Sequence, residues 1–223
     1  IIDIFLPCRA SSSRIKNKNI KKFSNKKFDL FEIKISQLIL VKGVRNIVVS
    51  TNDKKIINFL KKKNIKKIII DERPNNLCVS STSTDQVIKY VPKVIKSDHI
   101  LWTHVTSPFF DNKEYERAIR VYKKKIKKYD SLMGVTKIQD FIYNEKKPIN
   151  FNKKKEKWPQ TQSLKKLFLV NNTIFLSSKK NYVKYNDRIG LKPYLMDVNK
   201  IKSFDIDWPE DFKIAENIFE SIF

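Results

Sequence analysis

Apolar residues along this chain fall in short blocks separated by basic, polar stretches, and the blocks alternate between two periods. Residues 1–6 form an apolar run closed by Pro7, which predicts a buried strand. Residues 30–42 place Phe31, Ile35, Leu38 and Ile39 at helical spacing, and the β-branched block at 46–50 predicts a second strand. Residues 54–63 set Ile56, Ile57 and Leu60 on one helix face, and 67–70 read as a third short strand. Ser83 or Thr84 can cap a helix carrying Val87, Ile88, Val91 and Val94, with Pro92 expected to kink it or end it early. A strand at 100–105 precedes the clearest amphipathic helix, 114–127, which aligns Tyr115, Ala118, Ile119, Tyr122 and Ile126. Residues 131–138 and 167–176 read as strands. The last helix is expected to start near Pro209, a favoured first helical position. Glu210 and Asp211 then suit the helix dipole, and Phe212, Ala215, Phe219 and Ile222 are expected to face inward.

Strands alternating with helices through residue 138 predict βαβ units and a largely parallel sheet. The stretch 139–166 breaks that rhythm. It is polar, basic and too long for an ordinary connection, so it is expected to form an inserted arm or lobe, over the site or at a subunit interface, within one domain spanning 1–223.

Composition narrows the chemistry. Of the 223 residues only 3 are glycine, set far apart, so neither a G-x-G-x-x-G dinucleotide loop nor a P-loop can be built. Cys8 and Cys78 form no CxxC, which argues against a structural zinc or a disulfide framework, and Cys8 is expected to be a packing residue. His99 and His104 exclude H-E-x-x-H, and a serine hydrolase triad would have to use one of them. No apolar run approaches the roughly 18–20 residues that span a bilayer. The opening run is short, acidic at Asp3 and followed by Pro7, unlike a signal peptide. The expectation is a cytoplasmic, reduced protein without a membrane partner. The formal charge of +24 raises a nucleic-acid reading, yet the lysines sit in runs at 61–63, 123–125 and 153–155, and the runs at 61–63 and 123–125 fall on polar helix faces. No aromatic-interleaved basic motif accompanies them. A solvated surface is the preferred reading, and such a charge would still attract a polyanion such as a nucleoside triphosphate.

In open α/β sheets ligands bind outside the carboxyl ends of the strands. The loop after the first strand, residues 6–19, reads LPCRASSSRIKNKN. Arg9, Arg14 and Lys18 bring three cations to one turn beside Ser11, Ser12 and Ser13, a composition that can cradle phosphates and can equally be a basic surface loop. Downstream stand Glu72-Arg73-Pro74, Thr106-Ser107-Pro108, Asp130-Ser131 with Val135, Gln162 and then Asn171, and finally Asp205-Ile206-Asp207-Trp208-Pro209-Glu210-Asp211-Phe212. In this order and spacing the motifs resemble the CMP-sialic acid synthetase (acylneuraminate cytidylyltransferase) family across nearly the whole chain.

The resemblance implies a three-layer α/β fold, with a mostly parallel twisted sheet and helices on both faces, of the Rossmann-like nucleotide-diphospho-sugar transferase type, carrying a small dimerisation arm. It implies a Mg²⁺-dependent nucleotidyltransferase moving CMP from CTP to an acidic nine-carbon keto sugar. Arg9, Ser12, Arg14 and Lys18 would bind the triphosphate, and Asn19, Arg73, Ser80 and Ser81 the cytosine and ribose. His104, Thr106, Ser107, Gln162 and Asn171 would contact the sugar. Asp205 and Asp207 would hold Mg²⁺, and with Arg9 and Lys18 form the catalytic set, Asp205 also being a candidate base. Carboxylates spaced i, i+2 on an extended segment share a side, which suits a hard cation. Without the resemblance they would read first as caps for the following helix. The chain departs from the family pattern at Ser11 (commonly Gly), His104 (commonly Gln), Gln160 (often Arg) and Asn172-Thr173 (Gly-Ala). These changes bear mostly on the acceptor side. Homodimer assembly is expected, with the arm reaching the partner. The alternatives are a synthetase of CMP-Kdo, whose usual Lys-Pro is Lys18-Asn19 here; a nucleotide-binding member that no longer turns over; and a basic nucleic-acid-binding protein.

Overall fold

Strands and helices alternate as the pattern requires in this computed structural model, which describes residues 1–10, 12, 14–24 and 28–222. In chain order they are β1 (Ile2–Cys8), α1 (Leu30–Ile39), β2 (Ile47–Thr51), α2 (Lys54–Lys63), β3 (Ile68–Glu72), α3 (Thr84–Val94), β4 (His99–Trp102), α4 (Asn112–Lys125), β5 (Ser131–Ile138), β6 (Leu167–Ser178), α5 (Lys179–Tyr185), β7 (Pro193–Asp197) and α6 (Pro209–Ile222). They build a 7-stranded sheet in the order β3-β2-β1-β4-β6-β5-β7. β1 is parallel to β2 and β4, β2 to β3, and β5 to β7, whereas β6 runs antiparallel between β4 and β5.

Side-chain alternation splits the core into two layers. On β1 and β2, Ile4, Leu6, Ile47 and Val49 face a cluster with α1, α2, α4 and α6. Phe5 and Val48 face the opposite cluster, with Val87, Ile88 and Val91 of α3 and Tyr182 of α5. The three-layer architecture follows. Helix starts are set by side chains: Asp29 with Glu32, and Ser83 with Gln86, form capping boxes, and Asp111 accepts from Lys113 N and Glu114 N. α2 stops at Asn64 in the left-handed region, φ 45°. Pro92 sits inside α3, which ends two residues later.

The structure corrects several expectations. β1 continues through Pro7, opposite Ser50 of β2. Pro7 is tolerated in a central strand because β4 pairs only as far as Phe5, so its missing N–H costs no ladder bond on that side. The order of strands reverses at this β1/β4 gap, where a crevice opens. α5 and β7 were not foreseen. Ile222 is 51% exposed and does not face inward. Segment 139–166 holds little regular structure, but it is not merely polar: Phe141 packs edge-on against Phe151 and Trp158, and Tyr143 against Phe151, with ring centroids 5.3, 5.4 and 5.9 Å apart. Buried Asn150 ties its base, donating to Asp140 O at 2.7 Å and accepting from Ile142 N at 3.2 Å. Among the described residues no helix is long and apolar enough to cross a membrane.

Candidate active site

The carboxyl ends of β1, β3 and β4 converge on a pocket of about 310 Å³ lined by Pro7, Arg9, Arg73, Ser80, Thr82, Ser83, Thr84, Val87, Trp102 and His104. Arg9 reaches across, Nη1 donating to Val79 O at 3.2 Å. Arg73 follows β3, its backbone N bonded to Thr51 O, and its side chain is buried with Nε lacking a partner. A buried guanidinium with a free donor at a pocket wall is prepared for an anion or a base edge. Asn19, on the short turn Lys18–Ile20, donates to Arg9 O at 3.2 Å and so holds the loop. Ser80 lines the pocket, whereas exposed Ser81 does not. A larger cleft, about 830 Å³, lies by Lys96–His99 and Ser178–Lys184, at the amino end of β4 and away from these residues.

Beside the pocket the 205–207 segment meets the first loop. Lys18 Nζ donates to Ile206 O at 2.6 Å and lies 3.7 Å from Asp207 Oδ1. Burial pulls its pKa down while Asp207 and Asp205 pull it back up. Arg14 pairs with Asp207 at 3.0 Å and covers the Trp208 ring at 4.5 Å. Asp205 accepts from Asn172 Nδ2 at 2.6 Å. Burial raises its carboxyl pKa, against the Asn172 bond and nearby Thr106; Oδ1 itself is buried without a hydrogen-bond partner of good geometry. The capping function falls elsewhere: Asp211 Oδ2 accepts from Asp207 N at 3.0 Å and Trp208 N at 2.7 Å, leaving the Asp207 carboxylate to the cations.

The loop after β4 joins the two groups. Ile206 N donates to Thr106 O at 2.9 Å, and buried Ser107 has an unpartnered hydroxyl. Buried Lys34 of α1 fixes this loop, donating to Ser107 O at 2.8 Å, Phe110 O at 2.9 Å and the Tyr115 hydroxyl at 3.1 Å. Burial brings its pKa down to about 7. His104 Nε2 accepts from Trp102 Nε1 at 2.9 Å. Burial first, then Arg188, Lys18 and Lys34, lower the imidazole pKa to about 3, so the ring is neutral with its proton on Nδ1. Cys8 and Trp102 are buried packing residues.

Of the sequence-derived positions, Arg9, Arg73, Ser80 and His104 line the pocket; Arg14, Lys18, Asp205 and Asp207 form the adjoining charge cluster; Asn19, Thr106 and Ser107 support both. Ser12 is described and has no hydrogen bond to either group among the described residues, while Ser11 and Ser13 lie outside the described residues. Gln162 sits in the arm, donating to Gln160 Oε1 at 2.7 Å, and does not reach the pocket. Asn171 turns into the sheet, bonded to Thr136 and Thr173. A β-bulge between Met133 and Val135 makes room for it, and a Cβ at Gly134 would collide with its Oδ1 and with Thr173. Asn172, noted only as a departure, is the residue that meets Asp205. Lys34 and Arg188 were missed. A lysine on an apolar stripe with Phe31, Ile35 and Leu38 was the available signal for the first; the second had none.

Cations on the first loop, an opposed aspartate pair and a crevice at the sheet's reversal point define an α/β nucleotidyltransferase-like fold. Residues 4–221 match the family model described as "Cytidylyltransferase", and the chain belongs to that family. No match was found among curated proteins. Solved structures share the fold. A CMP:2-keto-3-deoxy-manno-octonic acid synthetase complexed with CTP superposes at TM-score 0.69 and 12% identity, covering 100% of this chain and 99% of its own. The 4-diphosphocytidyl-2C-methyl-D-erythritol synthase from Anaerococcus prevotii gives 0.68 and 16%, over 98% and 96%. A cytidylyltransferase from Leptospira borgpetersenii gives 0.61 and 13%, over 100% and 87%.

Proposed function

We propose that this cytidylyltransferase transfers CMP from CTP to the anomeric hydroxyl of an acidic nine-carbon keto sugar, a sialic acid or related nonulosonic acid, with release of pyrophosphate. The observation that carries the reading is the meeting of the first-loop cations with the 205–207 segment, where Lys18 and Arg14 both pair with Asp207 and Lys18 donates to Ile206 O. Arg9, Arg14 and Lys18 bind and orient the triphosphate; Arg73, Asn19 and Ser80 hold the nucleoside end. His104 and Thr106 border the acceptor. Positioning and neutralisation of charge account for the rate, since phosphoryl chemistry asks for little else.

The orphaned, buried Oδ1 of Asp205 and the neighbouring Asp207 carboxylate form an all-oxygen donor pair of the kind Mg²⁺ takes together with substrate phosphates. No group of three or more His, Cys, Asp or Glu side chains among the described residues forms a metal cage, so a cation held by this pair would need substrate oxygens as further ligands. Bound there, Mg²⁺ would offset charge on the triphosphate.

The test is pyrophosphate release with Mg²⁺ and CTP on N-acetylneuraminate, legionaminate, pseudaminate and Kdo, with ATP, GTP and UTP as controls. Release with CTP and one nine-carbon acid is expected. Release with Kdo alone moves the acceptor to the eight-carbon class, and no release with any acid refutes the acceptor assignment.

A homodimer and a cytoplasmic location complete the proposal. Phe141, Tyr143, Ile149 and Trp158 on the arm, and Phe168, Leu169 and Val170 on β6, are large apolar side chains left exposed, and a second copy would cover part of them. Sedimentation should show a dimer that Trp158→Glu dissociates; a wild-type monomer at working concentration overturns the assignment.

A further inference from the structure

Arg188 stands on the turn between α5 and β7, outside the motifs that mark the nucleotide site. Its guanidinium carbon lies 3.6 Å from the Phe175 ring centroid and 5.4 Å from that of Trp102. Its one hydrogen-bond partner among the described residues is His104 Nε2, at 3.5 Å, an acceptor already engaged by Trp102. No carboxylate there comes within ion-pair distance of it, and the adjacent Asp187 Oδ1 accepts from Ile189 N at 3.3 Å. Burial lowers the Arg188 pKa from the usual arginine value, with Tyr182 and Asp187 opposing. A desolvated cation that folding leaves without an anion is costly, unless the anion comes with a ligand.

The turn is built to hold this side chain in place. Asp130 Oδ2 accepts from Leu191 N at 2.7 Å and Lys192 N at 3.0 Å, and Ser131 Oγ accepts from Gly190 N at 2.9 Å. A Cβ at residue 190 would collide with the Asp130 carboxylate, so only glycine fits. The Asp130-Ser131 pair visible in the sequence therefore anchors the Arg188 turn. Aromatic stacking takes up the face of the guanidinium, so the edge turned away from His104 can make a two-point contact, which matches a carboxylate. Meanwhile the His104 ring, fixed by Trp102, keeps Nδ1–H as a donor with no partner among the described residues.

We propose that Arg188 receives the carboxylate of the acceptor sugar at the His104 end of the pocket. This rests on the acidic-sugar reading above. It makes Arg188 a specificity-determining residue and assigns the acceptor's charge recognition to this chain's own α5–β7 turn. The cations on the first loop remain with the triphosphate.

The experiment compares the acid that wild-type protein turns over, within the panel above, with its C1 carboxamide. Arg188→Gln should raise KM for the acid about tenfold or more, since a lost charge-assisted pair is worth at least that factor. The preference for acid over carboxamide should collapse in the variant, while CTP affinity by calorimetry stays at the wild-type value. Loss of stacking or of fold alone would not erase that preference selectively. Arg188→Lys keeps charge but not the two-point edge, and should raise the acid KM several-fold with CTP binding intact; it carries the test if Arg188→Gln does not fold. An Arg188→Gln protein with wild-type KM and preference, or an unaltered Arg188→Lys, overturns the proposal while leaving the acceptor assignment standing. Wild-type protein that binds CTP and turns over no acid overturns both.

Discussion

His104→Gln isolates one buried titration. In the folded protein the imidazole is held neutral, with its pKa lowered from 6.5 to about 3 by burial, because protonation of Nε2 would break the Trp102 bond and set a second cation against Arg188. In the unfolded chain the same ring titrates normally. Below pH 6.5 the unfolded state therefore binds a proton that the folded state refuses, and stability falls as pH drops. The loss begins near pH 6.5 and levels off near pH 3. Linkage over that interval gives about 2 kcal/mol of destabilisation at pH 5 relative to pH 8. Glutamine cannot titrate, and its carbonyl can still accept from Trp102. Urea denaturation of both proteins at pH 8, 6 and 5 should show the wild type losing about 2 kcal/mol more than His104→Gln, or about 4–8 °C in Tm. Asp29, with its pKa raised to about 6 by burial, acts in the opposite direction, but it is common to both proteins and cancels. Parallel pH profiles would refute the reasoning and place the ring in solvent.

Asp207→Asn should cut turnover at least about a hundredfold in the pyrophosphate assay. Urea stability should change by no more than about 1 kcal/mol, because the Asp207 carboxylate and its closer partner Arg14 are about half exposed, and Lys18 keeps its bond to Ile206 O. Gly190→Ala should cost at least about 2 kcal/mol, read by the same denaturation, as the new Cβ forces Asp130 off the Leu191 and Lys192 amides. Lys34→Met should cost about 2–4 kcal/mol by removing three buried hydrogen bonds that tie α1 to the loop after β4. A Lys34→Met protein as stable as wild type would show that the ammonium is not what holds the loop.

Where local pattern decides structure, the chain was readable. α2 and β5 have the bounds their periodicity predicts, because each carries a full repeat of its period and definite ends. α5 and β7 are short, with Tyr182 and Met196 as their buried residues, too few to mark a period. The first-loop cations were legible because Arg9, Arg14 and Lys18 are neighbours in sequence. Arg188 and Lys34 reach the site across tertiary packing, and no local pattern announces that. Asn171 and Asn172 show the finer limit. Adjacent strand residues point to opposite faces, and the bulge opposite Gly134 decides which one meets Asp205.

β6 is a single strand of 12 residues, roughly 40 Å from end to end at about 3.4 Å per residue. Phe175–Ser177 are paired on both sides, with β4 and β5, while Phe168–Val170 run beyond β4, paired with β5 alone and with their side chains exposed. Asn172 sits where the doubly paired part gives way to a part held by β5 alone. Mechanically this is a step in stiffness with a functional group on it, since the Asn172 amide that holds Asp205 is fixed by the point at which β6 loses its β4 partner.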